Sequence, residues 1–242
     1  MNARKVERLG RLAAALAERR SFHIRDAAEL LGVSEMTIRR DIADNADQFS
    51  YFGGHIVATR DPDGDGPYDL SSAADAHAAA KREACAHAVG RIHVDDTVFI
   101  DCGTTLVHMV DLIPDDCRIT AVCYALNVAE KLAKKPNVNM ILLGGLYHRA
   151  SASFSGSSGL DALNTLGINV AFLSAAGVDA ERGATCAHFH EAEIKQRTIA
   201  LSQRKYLICD SSKIGKRKAA FFGAVSQFDE IITEHGATAL AE

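Results

Sequence analysis

Two short segments of the chain carry groups suited to binding phosphate. Arg39 and Arg40 are adjacent, and a guanidinium group forms forked hydrogen bonds with phosphate or with the O6 and N7 atoms of guanine. Gly103, Thr104 and Thr105 follow an apolar run, where the backbone N–H groups and hydroxyls of a turn into a helix make an anion site. The two segments therefore suggest two separate sites for phosphorylated ligands.

Each segment also has a simpler interpretation. Arg39 and Arg40 could be solvated charges, one of them paired with Asp41 or Asp44. The Gly-Thr-Thr turn could be an ordinary helix N-cap, and no Gly-Lys-Ser/Thr follows that would make it a P-loop. The elements around each segment decide between these interpretations.

The arginine pair lies within a predicted helix-turn-helix. Gly32 permits a tight turn after a helix over Arg25–Leu31, and Ser34 is suited to cap a third helix that begins near Glu35. Residues 1–60 hold ten Lys and Arg against eight Asp and Glu, whereas the whole chain has a net charge of -4. The first part of the chain is thus the more cationic, which suits contact with phosphate.

Helical geometry then defines an outer face on the third helix. Because Ile38 and Ile42 are expected to face the core, the residues beside them turn outward, as in a helix that enters the major groove of DNA. We predict that this face contacts operator double-stranded DNA through six residues, Ser34, Glu35, Met36, Thr37, Arg39 and Arg40.

A further helix and a hairpin complete the first unit, and a linker ends it. Residues 6–16 follow the helical period, and residues 49–58 predict two short strands around Gly53-Gly54, which completes the outline of a winged helix. The span from Arg60 to Ser72 contains two Pro, two Gly and four Asp. We therefore place a DNA-binding domain at residues 1–60, a linker at 61–72 and a second domain at 73–242.

The second domain alternates short apolar runs with helical patterns. Six runs predict strands buried on both faces: Thr97–Ile100, Ile119–Cys123, Asn139–Leu143, Val170–Ser174, Tyr206–Cys209 and Glu230–Thr233. The helices predicted between them are Leu106–Ile113, Val128–Lys135 and Glu191–Gln203. This alternation predicts an α/β fold with a Rossmann-like parallel sheet, in which ligands bind beyond the carboxyl ends of the strands.

Polar loops follow several of these strands. Lys213 could neutralise a phosphate or be an ordinary surface lysine, and Asp101, Asn127 and Asp210 could bind sugar hydroxyls. The predicted effector site combines these with turn residues: Asp101, Gly103, Thr104, Thr105, Asn127, Gly144, Gly145, Asp210 and Lys213.

Composition excludes several classes of protein. With 242 residues, 48% hydrophobic and 24% charged, the chain is typical of folded globular proteins. No apolar run approaches the ~20 residues that cross a bilayer, and the charged N-terminal segment is unlike a secretory signal, so we expect a cytoplasmic protein that binds no membrane. The six cysteines lack C-x-x-C spacing, and we expect them to be reduced and buried, with no metal site and no cofactor.

Residues 32–41, Gly-Val-Ser-Glu-Met-Thr-Ile-Arg-Arg-Asp, closely resemble the helix-turn-helix of the DeoR family of bacterial transcriptional regulators. The strings Asp-Cys-Gly-Thr-Thr and Asp-Ser-Ser-Lys-Ile-Gly look like the C-terminal domain of that family. More narrowly, Thr-Ala-Val-Cys-Tyr, Ser-Ala-Ala-Gly-Val and Gly-Ala-Thr-Cys resemble its deoxyribonucleoside regulators. The wing departs from the family pattern, since Tyr51-Phe52 stand where a basic residue usually precedes the Gly pair.

The resemblance implies a repressor of sugar or deoxyribonucleoside catabolism genes that a phosphorylated sugar releases from operator DNA. Deoxyribose 5-phosphate is the first candidate, and another sugar phosphate is the alternative. It also implies a second domain similar to sugar-phosphate isomerases, with Glu191 and Lys195 beside the pocket. A Glu and a Lys four residues apart on a helix are equally consistent with a surface pair.

An enzyme with an accessory helix-turn-helix is the alternative from another class. Sugar-phosphate isomerisation requires a positioned carboxylate, and residues 174–177, Ser-Ala-Ala-Gly, are neutral where the related isomerases are acidic. Asp179 and Glu191 remain possible bases, but we expect no enzymatic activity. Since one helix-turn-helix covers too few base pairs for specificity, we expect a dimer or a larger homo-oligomer.

Overall fold

The computed structural model describes residues 3–18, 21–45, 49–52, 55–58 and 77–238. The chain divides into two compact units, Met1–Tyr68 and Asp69–Glu242. The predicted linker at 61–72 and the Gly53-Gly54 turn lie outside the described residues, so the domain boundaries remain a prediction. Within the described ranges, no helix has both the length and the apolar character that a membrane span requires.

The first unit has three helices and a small antiparallel sheet. Its elements in chain order are α1 (Ala3–Glu18), β1 (Ser21–His23), α2 (Ile24–Leu31), α3 (Glu35–Ala43), β2 (Phe49–Phe52) and β3 (His55–Ala58). The predicted helices and hairpin are confirmed, and β1 adds a third strand in the order β1-β3-β2. Leu12, Leu16, Ile38 and Ile56 lie in the core, while Val6 is half exposed.

Local backbone conformation fixes the turn between α2 and α3. Gly32 has φ 64°, in the left-handed region that glycine adopts at little cost, and its N–H donates to the carbonyls of Ala28 and Glu29. Ser34 is extended, and its Oγ accepts from the backbone N–H of Thr37 at 3.2 Å. The predicted turn and N-cap are therefore confirmed.

The second unit is an α/β domain. Its helices are α4 (Ala78–Val89), α5 (Val107–Leu112), α6 (Leu126–Leu132), α7 (Ser157–Asn164) and α8 (Phe189–Leu201). The strands of its main sheet are β4 (Thr97–Ile100), β5 (Ile119–Cys123), β6 (Val138–Leu142), β9 (Ile168–Ser174), β12 (Ser202–Ile208), β14 (Glu230–Thr233) and β15 (Gly236–Thr238). Their order is β15-β14-β12-β9-β4-β5-β6, with every pair parallel except β14–β15, so the predicted parallel sheet is confirmed.

Two of the sequence predictions for this sheet are wrong. β6 is an edge strand, and Met140 and Leu142 are exposed on it, so it is not buried on both faces. The last predicted helix ends at Leu201 because Ser202 is extended, and Gln203 lies in β12. Periodicity does not distinguish an edge strand from a central one, nor does it locate a helix end without a glycine.

Two smaller sheets lie beside the main one. One contains β10 (Gly177–Asp179), β11 (Gly183–Cys186) and β13 (Ala220–Gly223), and the other is a hairpin of β7 (Leu146–His148) and β8 (Ser153–Ser155). Phe154 donates its N–H to the carbonyl of Tyr124 at 2.8 Å, just beyond the end of β5. The hairpin therefore lies at the carboxyl edge of the main sheet.

The cysteines are part of the core of the second unit. All six are free thiols, and five of them are buried. Burial raises the pKa of Cys85 and of Cys123 to about 12, so these thiols stay protonated and unreactive at neutral pH. The prediction of reduced, buried cysteines is confirmed, except that Cys117 is only half-buried.

Two substitutions on α3 test the packing of the first unit. Ile38→Ala should lower the free energy of unfolding by about 2–5 kcal/mol, because it leaves a cavity in the core. Met36→Ala on the same helix should change it by less than about 0.5 kcal/mol, since Met36 is 74% exposed. Urea titration of the full chain, followed by circular dichroism, measures both, and equal effects would contradict the packing described.

Candidate DNA-binding and effector-binding sites

The outer face of α3 presents the residues expected to contact DNA. Met36, Arg39 and Arg40 are exposed, and Thr37 is half-buried. Ser34 Oγ and Thr37 Oγ1 are 2.9 Å apart, which places two hydroxyls together at the helix N-terminus. Ser34, Thr37, Arg39 and Arg40 therefore give this face of α3 its polar groups, together with the exposed apolar side chain of Met36.

Asp41 and Asp44, near the C-terminal end of α3, contact α1. Arg8 Nε donates to Asp41 at 2.7 Å, and Lys5 Nζ donates to Asp44 at 2.7 Å, which lowers the pKa of Asp44. Asp41 and Asp44 thus pair with α1 rather than with the adjacent arginines. The alternative in which an α3 arginine is neutralised by Asp41 or Asp44 is wrong.

Two further contacts complete this surface. The guanidinium carbon of Arg39 lies 4.4 Å from the centroid of the Tyr51 ring on β2, and this cation–π contact holds the arginine side chain against the strand. Glu35 lies 3.7 Å from Arg25, and both side chains are largely exposed. Sequence reasoning assigned Tyr51 no part in the site, because the contact joins residues on separate elements.

In the second unit, the Gly103-Thr104-Thr105 turn follows β4 at the carboxyl edge. Gly103 has φ 97°, and both threonines are buried. Lys81 Nζ donates to Thr104 Oγ1 at 3.0 Å, and Lys81 is only 3% exposed. Sequence reasoning missed Lys81, although it lies in register with the buried Ala84, Cys85 and Ala88 on one face of α4.

Asn127 and Asp210 bring buried acceptors to this turn. Asn127 Nδ2 donates to the carbonyl of Gly103 at 2.9 Å, which fixes the amide orientation. Among the described residues, Asn127 Oδ1 and Asp210 Oδ2 are buried without a hydrogen bond. Lys213 Nζ is 4.0 Å from Asp210 Oδ2, and Gly215 N–H anchors this loop to the Val178 carbonyl. A ligand with hydroxyl groups could donate to both acceptors.

The two lysines make the turn receptive to an anion. Burial lowers the pKa of Lys81, Asp210 opposes this shift, and the charge of Lys213 lowers the pKa further. The charge of Lys213 therefore acts at Lys81, and a phosphate dianion between the two would stabilise both. The Lys213 side chain is 28% exposed, and its role as a phosphate ligand stays a prediction.

Asp101 lies beneath the turn and is fully buried. Its carboxylate accepts from Tyr124 Oη at 2.7 Å, from the Ser174 N–H at 2.7 Å and from Lys195 Nζ, and Ser174 Oγ lies 3.1 Å away. Three of these contacts are to Oδ2 and one, from Tyr124, is to Oδ1, so the fully buried carboxylate holds the turn in place. The binding of sugar hydroxyls by Asp101 stays a prediction.

Glu191 and Lys195 lie on α8, and both are buried at 5% and 1% exposure. The alternative of a surface pair is therefore wrong. Lys195 Nζ also donates to the Ser174 carbonyl at 2.9 Å. Burial disfavours its charge, but Asp101 and its neighbours outweigh burial and raise the pKa of Lys195. Burial raises the pKa of Glu191 to about 7, while Lys195 opposes the shift.

Gly144 and Gly145 lie farther along the sheet, after the edge strand β6. Gly145 has φ 139°, and a Cβ there would lie 2.2 Å from the Ser155 carbonyl oxygen. Packing against β8 thus accounts for Gly145 without a ligand.

A separate surface groove of about 500 Å³ lies between α7 and α8. It is lined in part by Leu160 and Arg197 and includes none of the predicted effector residues.

Comparison with known proteins decides the family. Residues 8–57 match the DeoR-like helix-turn-helix domain, and residues 76–235 match the DeoR C terminal sensor domain. The chain belongs to the DeoR family. The predictions of family and fold class, and of a DNA-binding regulator rather than an enzyme, are thereby confirmed.

Individual similarities add detail to the DeoR-family assignment. The chain is 37% identical over 234 residues to the "Deoxyribose operon repressor" of Escherichia coli (strain K12), covering 97% of this chain and 92% of that protein. eIF2B beta from Chaetomium thermophilum shares the fold with a TM-score of 0.50 and 14% identity, covering 98% and 66%. Ribose 5 phosphate isomerase A from Neisseria gonorrhoeae has a TM-score of 0.43 and 18% identity, covering 57% and 53%.

No group of three or more His, Cys, Asp or Glu within the described ranges of this DeoR-family chain is arranged to hold a metal ion. The residues that the structure brings together at the carboxyl edge are Gly103, Thr104, Thr105, Asn127, Asp210 and Lys213, with Lys81 added. Their role in binding an effector remains a prediction.

Glu191 makes the stability of the sensor domain depend on pH. Its pKa is raised from an ordinary value of 4.5 to about 7 in the folded protein, so its contribution to stability is fully present below pH 4.5 and is lost as the pH rises through about 7. Glu191→Gln keeps a neutral side chain at every pH. The melting temperature of the wild type, relative to this variant, should therefore fall between about pH 5 and about pH 8. Parallel melting curves for the two proteins would show that Glu191 is not buried as described.

Proposed function

We propose that this DeoR-family chain is a transcriptional repressor of deoxyribose or deoxyribonucleoside catabolism genes, and that a phosphorylated sugar releases it from operator DNA. The observation that carries the proposal is the hydrogen bond from Lys81 to Thr104 at the Gly103–Thr105 turn, near two buried acceptors that have no hydrogen bond among the described residues, in a chain whose other unit has an exposed arginine pair. The 37% identity to a deoxyribose operon repressor makes deoxyribose 5-phosphate the first candidate effector.

DNA binding is assigned to the exposed face of α3. Arg39 and Arg40 supply forked donors for phosphate or guanine, and Ser34 and Thr37 supply hydroxyls at the helix N-terminus. Glu35 is placed to orient Arg25 rather than to approach phosphate, since like charges repel. The small face of one such helix supports the proposal that a homo-oligomer binds repeated half-sites.

Effector binding is assigned to the carboxyl edge of the main sheet. Lys81, Lys213 and the hydroxyls of Thr104 and Thr105 would bind the phosphate, while Asp210 and Asn127 would accept from sugar hydroxyls. Release requires that the effector bind more tightly to the state of the protein with low DNA affinity, because a ligand with equal affinity for both states shifts nothing. Asp101 and Lys195 keep the turn in its binding geometry.

Arg40→Ala should weaken binding to DNA from the region upstream of the protein's own gene by about 1–3 kcal/mol, because it removes a forked donor. Arg182→Ala removes an equal charge from an exposed position in the second unit and should leave the affinity unchanged. Fluorescence anisotropy at fixed salt measures both variants. Equal losses would mean that only total charge matters, and the recognition face would be misassigned.

Lys213→Gln should raise the deoxyribose 5-phosphate concentration needed for half-maximal release of DNA by about ten- to a hundredfold, since a charge-assisted hydrogen bond is worth ~1.5–3 kcal/mol. Its DNA affinity without effector should equal that of the wild type. The same titration with ribose 5-phosphate distinguishes a response to the deoxy sugar from a response to any pentose phosphate. Normal release of Lys213→Gln would remove Lys213 from the effector site.

A further inference from the structure

Three histidines lie together at the carboxyl edge and have no part in the proposed function described so far. His148 lies on β7, and His188 and His190 lie at the start of α8; we call them the imidazole cluster. The rings of His148 and His190 are stacked with centroids 3.7 Å apart, and those of His188 and His190 are 5.2 Å apart. Two elements that are distant in the sequence, β7 and the start of α8, therefore bring their imidazoles into one stack.

The imidazole cluster is electrically neutral near pH 7. Burial lowers the pKa of each ring, to about 3 for His190, and His148 lowers the pKa of both other rings. A neutral imidazole offers one donor and one acceptor, which suits an alcohol hydroxyl. A phosphate dianion, in contrast, is bound best by charged donors such as Lys81 and Lys213.

A polar chain joins the imidazole cluster to the phosphate turn. His190 Nε2 lies 3.3 Å from the hydroxyls of both Ser151 and Ser153. Glu191 is close enough to Ser151 and Cys102 for both to lower its pKa, and Cys102 directly precedes Gly103. A buried row of polar residues thus runs from the neutral imidazole cluster toward the Gly103–Thr105 turn, where Lys81 supplies a cation.

We propose that the imidazole cluster binds the hydroxyl groups at the sugar end of the effector, with His148 and His188, the two half-buried rings, making the contacts. The ligand class is the hydroxyl-bearing carbon chain of a phosphorylated sugar. The proposal rests on the proposed function, since it assigns the phosphate of the same ligand to Lys81 and Lys213. His190 holds the two outer rings in place through its stack and its serine contacts.

Calorimetric titration of the full chain with deoxyribose 5-phosphate, and separately with inorganic phosphate, tests the assignment. His188→Phe keeps an aromatic ring in the stack but removes both nitrogens. It should weaken binding of deoxyribose 5-phosphate about tenfold and change binding of inorganic phosphate less than about twofold. His188→Gln, which restores a donor and an acceptor, should recover part of the lost affinity. His148→Phe should behave like His188→Phe.

The controls separate this proposal from the proposed function. Lys213→Gln should weaken binding of both ligands, because it acts on the phosphate. If both histidine variants bind deoxyribose 5-phosphate as the wild type does, the imidazole cluster has only a packing role and the proposal fails while the proposed function stands. Parallel losses for both ligands would also overturn it, since the variants would then perturb the whole site. If the wild type binds neither ligand, the proposed function fails as well.

Discussion

The buried ion pair between Asp101 and Lys195 fixes the carboxyl edge of the main sheet. Asp101 follows β4, and Lys195 lies on α8. The same carboxylate accepts from Ser174, the last residue of β9, and from Tyr124 after β5. Removal of one partner of a buried pair leaves an uncompensated charge and costs about 3–5 kcal/mol. The position of the Gly103–Thr105 turn relative to Tyr124, Ser174 and α8 therefore depends on this interaction.

The proposed effector site has charged side chains at one end and uncharged polar side chains at the other. Lys81 and Lys213 lie at one end, where burial and the charge of Lys213 lower the pKa of Lys81 against the opposing effect of Asp210. Glu191 and the imidazole cluster lie at the other end, where burial favours their neutral forms. A phosphorylated sugar has the same asymmetry, with a dianion at one end and hydroxyls at the other. The first unit shows a similar division, since Asp41 and Asp44 pair with α1 while Arg39 and Arg40 are exposed.

Local signals made part of this structure predictable from sequence. Gly32 and Ser34 set the turn and the cap of the helix-turn-helix through their own backbone conformations, and β4, β5 and β14 have the bounds expected from their apolar runs. Non-local contacts account for what was missed. Lys81 becomes a site residue through Thr104, twenty-three positions later. Asp101 becomes part of the frame because donors from Tyr124, Ser174 and Lys195 converge on it, and no local pattern encodes that convergence.

A crystal structure of the full chain with deoxyribose 5-phosphate is the most direct test of the account. We expect the phosphate within hydrogen-bond distance of Lys81 Nζ, Lys213 Nζ and the Gly103–Thr105 turn, with the Asp101–Lys195 pair intact beneath it. A sugar phosphate bound elsewhere, such as in the groove between α7 and α8, or a phosphate that displaces Lys195 from Asp101, would contradict it.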